Sequence, residues 1–95
     1  MSGDRVRRRI VVSGRVQGVG FRYFTRSAAG RIDVGGYVRN RPDGTVEAEV
    51  EGLPGEVDRF VQELRKGPPG SRVDHVDVTD LPPQEGEEGF EIRFS

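Results

Sequence analysis

Cysteine and tryptophan are absent from the chain, and histidine occurs once, at His75. Without cysteine there is no disulfide, no thiolate metal ligand and no thiol nucleophile. One imidazole does not make a structural zinc site. Long apolar runs are missing too. The arginines near the N-terminus are followed by no apolar stretch of signal-peptide or membrane-spanning length. These absences lead to the expectation of a soluble, cytoplasmic protein. Its 95 residues are read as one domain, residues 1–95, with residues 1–5 disordered.

Charge is abundant and lopsided. Residues 1–41 hold ten arginines against Asp4 and Asp33, a balance of +8, which leaves −9 for residues 42–95 and a net charge of −1. A basic half is compatible with an anionic ligand, a nucleic acid or a membrane surface. The simpler expectation is that elements from the two halves interleave and their opposite charges meet on the surface.

The apolar pattern divides the chain into short elements. Val6 to Ser13 reads as a strand whose end, Ile10-Val11-Val12, suits a central position. Gly14, Gly18 and Gly20 break regular structure after it. A helix starts at Phe21, with Phe24, Ala28 and Ile32 on one face and Gly30 weakening it. Gly36 to Arg41 and Thr45 to Glu51 read as strands joined by the turn Arg41-Pro42-Asp43-Gly44. The second of them alternates cleanly, Val46, Ala48 and Val50 on one side and Glu47, Glu49 and Glu51 on the other. Pro54 to Lys66 is a second helix with Val57, Phe60, Val61 and Leu64 as its stripe, ended by Gly67-Pro68-Pro69-Gly70. A fourth strand contains Val73, either His75 or Val76, and Val78. A polar loop from Pro82 to Gly89, with a solvated Glu87-Glu88 pair, leads to a last short strand in which Phe90, Ile92 and Phe94 alternate.

This β-α-β-β-α-β order predicts an α+β, ferredoxin-like sandwich. Two helices cover one face of an antiparallel sheet, and a short extra strand follows at the C-terminus.

The chemistry is concentrated in Gly14-Arg15-Val16-Gln17-Gly18-Val19-Gly20-Phe21-Arg22, which joins a buried strand to a helix N-terminus. Glycines allow backbone N–H groups to turn towards a ligand, and the first N–H groups of a helix have no internal partners. The helix dipole favours negative charge at that end. Arg22, in the first turn, could grip two phosphate oxygens with its planar guanidinium. The loop is not a nucleotide-binding P-loop, because the closing Gly-Lys-Ser/Thr is missing, and it lacks the G-x-G-x-x-G spacing of dinucleotide sites. On these grounds alone, anion binding and a simple chain reversal remain equally open.

The same nine residues closely resemble the first signature of the acylphosphatase family. Gly36-Tyr37-Val38-Arg39-Asn40-Arg41-Pro42-Asp43-Gly44-Thr45-Val46-Glu47 resembles the second. The likeness extends from about Arg7 through Gly67-Pro68 and Val73 to Phe90-Glu91-Ile92. It implies hydrolysis of acyl phosphates by direct attack of water on phosphorus, with no metal, cofactor or covalent intermediate. By the same resemblance the backbone of Gln17, Gly18, Val19, Gly20, Phe21 and Arg22 cradles the phosphoryl group. Arg22 corresponds to the catalytic arginine, and Asn40 to the asparagine that orients the attacking water. The substrate's own phosphate is then the proton acceptor. Departures from the family pattern are Gly20 at a variable place, Asp33 where glycine is frequent, and Tyr37 where tryptophan is frequent.

Physical chemistry is consistent with those roles. Phosphoryl transfer spreads charge over the phosphoryl oxygens, so the protein's task is positioning and charge stabilisation. Asn40 can donate and accept hydrogen bonds but is no strong base. Asp43 and Gly44 read as turn residues, and His75 lies away from both motifs.

Two other function classes share the element order. An RNA-binding module would stack bases on sheet aromatics, but the third strand offers Glu47, Glu49 and Glu51. A phosphate-binding regulatory domain, of the kind fused to larger proteins that handle carbamoyl phosphate, would share the loop; an end at Ser95 speaks against a fusion. The expected partner is a small-molecule acyl phosphate, with no nucleic acid, no membrane and a monomeric state.

Overall fold

The structure is a computed structural model that describes residues 4–85 and 89–94. Residues 1–3 of the expected disordered stretch, and the Glu87-Glu88 pair, lie outside the described residues. Arg5, in the same stretch, lies 3.3 Å from the Glu51 carboxylate.

Seven elements follow one another: β1 (Val6–Arg15), α1 (Phe21–Ile32), β2 (Gly35–Asn40), β3 (Val46–Gly52), α2 (Pro54–Lys66), β4 (Arg72–Leu81) and β5 (Phe90–Arg93). The strands form one sheet in the order β4-β1-β3-β2-β5. The first four pair antiparallel, as the ferredoxin-like reading requires. The sheet is mixed rather than wholly antiparallel, because β5 pairs parallel with β2. β4 and β5 lie at opposite edges of the sheet, so the chain has the width of the sheet to cross after Leu81. Glu51 anchors that crossing, accepting the backbone N–H groups of Gln84 at 2.8 Å and Glu85 at 2.9 Å.

Strand alternation puts Ile10, Val12, Val38, Val46, Ala48 and Val50 on the face the helices cover, all buried. α2 contributes its full expected stripe, Val57, Phe60, Val61 and Leu64. Each such side chain is worth roughly 1.5–3 kcal/mol on burial. The buried stripe of α1 is Phe21, Thr25, Ala28 and Ala29, while Phe24 and Ile32 are only partly buried beside it. Phe21 takes the central place because the chain must enter the core as the loop ends.

The glutamates of β3 do not face water. Glu47, Glu49 and Glu51 are 8%, 9% and 0% exposed beneath arginines of neighbouring strands. In the register, Arg7 is opposite Glu51, Arg9 opposite Glu49 and Arg39 opposite Glu47. Arg7 Nη2 is 2.9 Å from Glu49 and its Nη1 is 3.2 Å from Glu51. Arg8, on the helix side, reaches Asp58 of α2 at 2.6 Å. Strands of the basic and acidic halves are therefore neighbours, and Arg7, Arg9 and Arg39 pair with the glutamates of β3.

The ambiguity in the fourth strand is settled by a bulge. The register between β1 and β4 shifts at Ser13/Gly14, pairing Ser13 with His75 but Gly14 with Val73. Asp74 is the extra residue, so Val73 and Val76, three apart, both turn to the core. His75 is left exposed on the outer face. Gly14 is required here: a Cβ would sit 2.2 Å from the Arg72 carbonyl oxygen, and φ is 127°.

Candidate active site

The bulge releases β1 into the loop of residues 16–20, and the loop is held on both flanks. Val16 and Phe21, at its two ends, are 1% and 2% exposed in the core. Val19 packs partly against the same cluster. Thr25 Oγ1 donates to the Phe21 carbonyl at 2.8 Å and steadies the first turn of α1. Gln17, expected to act through its backbone N–H, has its side chain engaged in the fold. Its Nε2 donates to the carbonyls of Arg41 at 2.8 Å and Thr45 at 2.9 Å. Those carbonyls belong to the β2–β3 turn, so Gln17 fastens the loop to the hairpin that carries Asn40.

Between these anchors Gly18 and Gly20 remain exposed. Gly20 is the N-cap of α1, with φ 76° and ψ 22°, a left-handed conformation that glycine adopts without a Cβ penalty. No side chain caps the helix, and its first turn contains no acidic residue. The positive end of the dipole thus opens onto the loop uncompensated.

Asn40 is the last residue of β2, and the following turn fixes where it points. Arg41 N–H donates to the Thr45 carbonyl at 2.9 Å and Gly44 N–H to the Arg41 carbonyl at 3.1 Å. Asp43 accepts from the Thr45 hydroxyl at 2.6 Å and from its N–H at 3.0 Å. These bonds, the hydroxyl's first, hold the Asp43 carboxyl below its ordinary pKa. Asp43 and Gly44 are turn residues, as read from the sequence.

Gly18, Gly20, Phe21, Arg22 and Asn40 line one pocket of about 100 Å³, together with Val16 and Tyr23. Two motifs separated in sequence thus converge on one concavity. Gln17 and Val19 are not in its lining: Gln17 is in the clamp and Val19 packs partly against the core. Arg22 has no carboxylate within ion-pair distance among the described residues. Its Nη1 is 3.4 Å from the Arg93 carbonyl, and its guanidinium lies 4.6 Å from the centre of the Phe94 ring.

That contact changes the reading of Phe94. The alternation Phe90, Ile92, Phe94 suggested three inward side chains, and Phe90 and Ile92 do pack against the core. β5 ends at Arg93, however, and Phe94 is 73% exposed. No local signal announces this, because Arg22 and Phe94 meet only through the parallel pairing of β5 with β2.

The sequence also missed the surroundings of Tyr37. Its hydroxyl donates to Glu47, with Glu49 at 3.0 Å, and the Arg93 guanidinium lies 3.9 Å from its ring centre. Burial first, then the two neighbouring carboxylates, push the phenol well above its ordinary pKa. Among the described residues no group of three or more His, Cys, Asp or Glu is placed to hold a metal ion. No helix among them is long and apolar enough to cross a membrane.

The ferredoxin-like sandwich thus brings together, in one small pocket, uncapped helix N–H groups, an arginine with no carboxylate partner among the described residues and an amide, all of them groups able to donate hydrogen bonds to an anion. Comparison with known proteins narrows the class. The sequence model of the acylphosphatase family matches residues 8–92. The acylphosphatase of Anaeromyxobacter dehalogenans is 54% identical over 91 residues, covering 96% of this chain and 98% of that protein. The crystal structure of the Bacillus subtilis acylphosphatase superimposes with a TM-score of 0.89 at 42% identity, covering 93% of this chain and 98% of that one. HypF of T. kodakarensis contains a similar region, 35% identical with a TM-score of 0.82, covering 93% of this chain and 12% of that one. The chain belongs to the acylphosphatase family.

Proposed function

We propose that this pocket is where the chain hydrolyses acyl phosphates to a carboxylate and inorganic phosphate, by direct attack of water on phosphorus without metal or cofactor. The observation that carries the reading is the convergence of Gly18, Gly20, Phe21, Arg22 and Asn40 on a single pocket. The backbone N–H groups of residues 17–22 and the Arg22 guanidinium bind the phosphoryl oxygens and stabilise their charge in the transition state. Asn40 holds the water in line with the bond that breaks. As the water oxygen bonds to phosphorus, the bond from phosphorus to the acyl oxygen cleaves, and its electron pair leaves with the carboxylate. The water proton passes to a phosphate oxygen. A carboxylate is a good leaving group, so no protein acid is needed.

The same reading takes residues 1–95 as one monomeric, cytoplasmic domain that binds neither nucleic acid nor membrane. The open face of the sheet is consistent with this: Tyr37 is 9% exposed and already stacked by Arg93, so it offers no surface to a base.

The test is hydrolysis of benzoyl phosphate by the purified protein in the presence of a chelator, beside Arg22→Ala. The wild type is expected to turn over at the same rate with and without chelator. Arg22→Ala should lose at least about 100-fold in kcat/KM while keeping its circular dichroism spectrum. A rate that needs added Mg²⁺, or near-normal turnover by Arg22→Ala, would refute the mechanism. A folded wild type without turnover would favour a phosphate-binding regulatory module, as the likeness to a small part of HypF allows.

A further inference from the structure

Among the described residues four large apolar side chains are exposed: Tyr23 at 56%, Leu53 at 49%, Val78 at 40% and Phe94 at 73%. Single exposed apolar residues are ordinary. Leu53 caps α2 and Val78 lies on the edge strand, and both fit that description. Tyr23 and Phe94 differ, because both stand beside Arg22, Tyr23 as its neighbour in α1 and Phe94 brought to it from beyond β5. Tyr23 lines the pocket with Arg22, and the Phe94 ring lies against the Arg22 guanidinium.

The pocket itself is small. Its volume is about 100 Å³. The groups proposed to hold the phosphoryl group and its water, Gly18, Gly20, Phe21, Arg22 and Asn40, make up most of the lining, so the acyl group of a bound substrate lies beside Tyr23 and the neighbours of Arg22. Tyr23 belongs to the lining, and its ring centre lies 5.5 Å from the guanidinium of Arg26, which stands outside it. No carboxylate lines the pocket.

Resting on the acylphosphatase reading, we propose that Tyr23 and Phe94 form the acyl-group subsite of this enzyme. They select acyl phosphates with an aromatic or bulky apolar acyl group over those with a small one. Both rings already exchange one face with a guanidinium and leave other surface in water. An apolar acyl group removes that surface from water on binding, and an aromatic one adds ring-to-ring contact. An acetyl group is too short to cover either ring.

The experiment compares kcat/KM for benzoyl phosphate and acetyl phosphate in the wild type, Tyr23→Ala, Phe94→Ala and Phe94→Tyr. The intrinsic reactivities of the two substrates are the same for every variant, so the change in their ratio isolates the contribution of each ring. The benzoyl-to-acetyl ratio should fall about three- to tenfold in each alanine variant, the effect of one lost aromatic pair. Phe94→Tyr should restore it. Equal losses for both substrates in Phe94→Ala, with an unchanged ratio in Tyr23→Ala, would overturn the proposal and leave Phe94 as a support for Arg22 alone. Turnover of neither substrate by the folded wild type would instead refute the underlying acylphosphatase reading.

Discussion

The side-chain amide of Gln17 lies 2.8 Å from the backbone carbonyl oxygen of Arg41 and joins the glycine loop to the strand end that presents Asn40. Two groups with separate proposed tasks, holding phosphate and holding water, are thereby set at a fixed spacing. Gln17→Ala removes two partly buried hydrogen bonds, worth about 0.5–1.5 kcal/mol each. The Arg41 and Thr45 carbonyls keep their turn partners, so the fold should survive. The expected outcome is a Tm lowered by several degrees and a kcat lowered more than tenfold, with Gln17→Glu failing to restore it because a carboxylate cannot donate. Unimpaired kcat in Gln17→Ala would show that the clamp does not set the geometry.

Asn40 has a narrower proposed task. Its side chain has no hydrogen-bond partner among the described residues and borders the pocket. Asn40→Ala is expected to lower kcat by about two to three orders of magnitude, as for loss of an oriented transition-state contact, with the inhibition constant of inorganic phosphate unchanged. Steady-state kinetics with phosphate as competitor separates the two effects. Weakened phosphate binding at a preserved kcat would assign Asn40 to the phosphate instead.

Stability at low pH should depend on Glu51. Burial opposes its charge, but the N–H groups of Gln84 and Glu85, then Arg7 and Arg5, outweigh that and hold the carboxyl at about 2 against an ordinary 4.5. The folded state therefore binds this proton more weakly than the unfolded chain. The stabilisation is complete above about pH 4.5 and is lost as the pH falls towards about 2. Glu51→Gln leaves Arg7 with one carboxylate fewer and should cost about 3–5 kcal/mol at pH 7. Urea unfolding at pH 7 and pH 3 should show a smaller loss on acidification in the variant than in the wild type. Identical losses would place the acid sensitivity elsewhere.

Asp33 closes α1 in a left-handed conformation, φ 70° and ψ 54°, its N–H donating to the Ala29 carbonyl at 2.8 Å. A residue with a Cβ is strained there, and a carboxylate at a helix C-terminus meets the negative end of the dipole. Asp33→Gly removes both effects at some cost in unfolded-chain entropy. The variant should gain about 0.5–1 kcal/mol, seen as a Tm raised by a few degrees with unchanged kinetics. A lower Tm would mean that Asp33 makes a compensating contact in solution.

Much of this architecture was legible in the sequence. The stripe of α2, the alternation of β3 and the Pro-Asp-Gly turn each follow from local rules, because a helix or strand must show its period to the core. The roles proposed for Arg22 and Asn40 rested on resemblance, since neither an arginine nor an asparagine is informative alone. What stayed hidden depends on neighbours distant in sequence. The glutamates of β3 alternate as solvent-facing residues would, and only the register with β1 and β2 buries them under arginines. Val73 and Val76 break the strand period, and only the bulge at Asp74 reconciles them.

The amino-acid sequence by itself determined the elements, their order and the glycine loop, because turn chemistry and hydrophobic periodicity act over a few residues. The tertiary structure decided that Gln17 is a clamp, that β5 runs parallel to β2, and that Phe94 leaves the core to lie on Arg22. Each of these depends on groups brought together from far along the chain, Arg22 and Phe94 from nearly opposite ends. Such contacts exist only once the sheet has set which strands are neighbours.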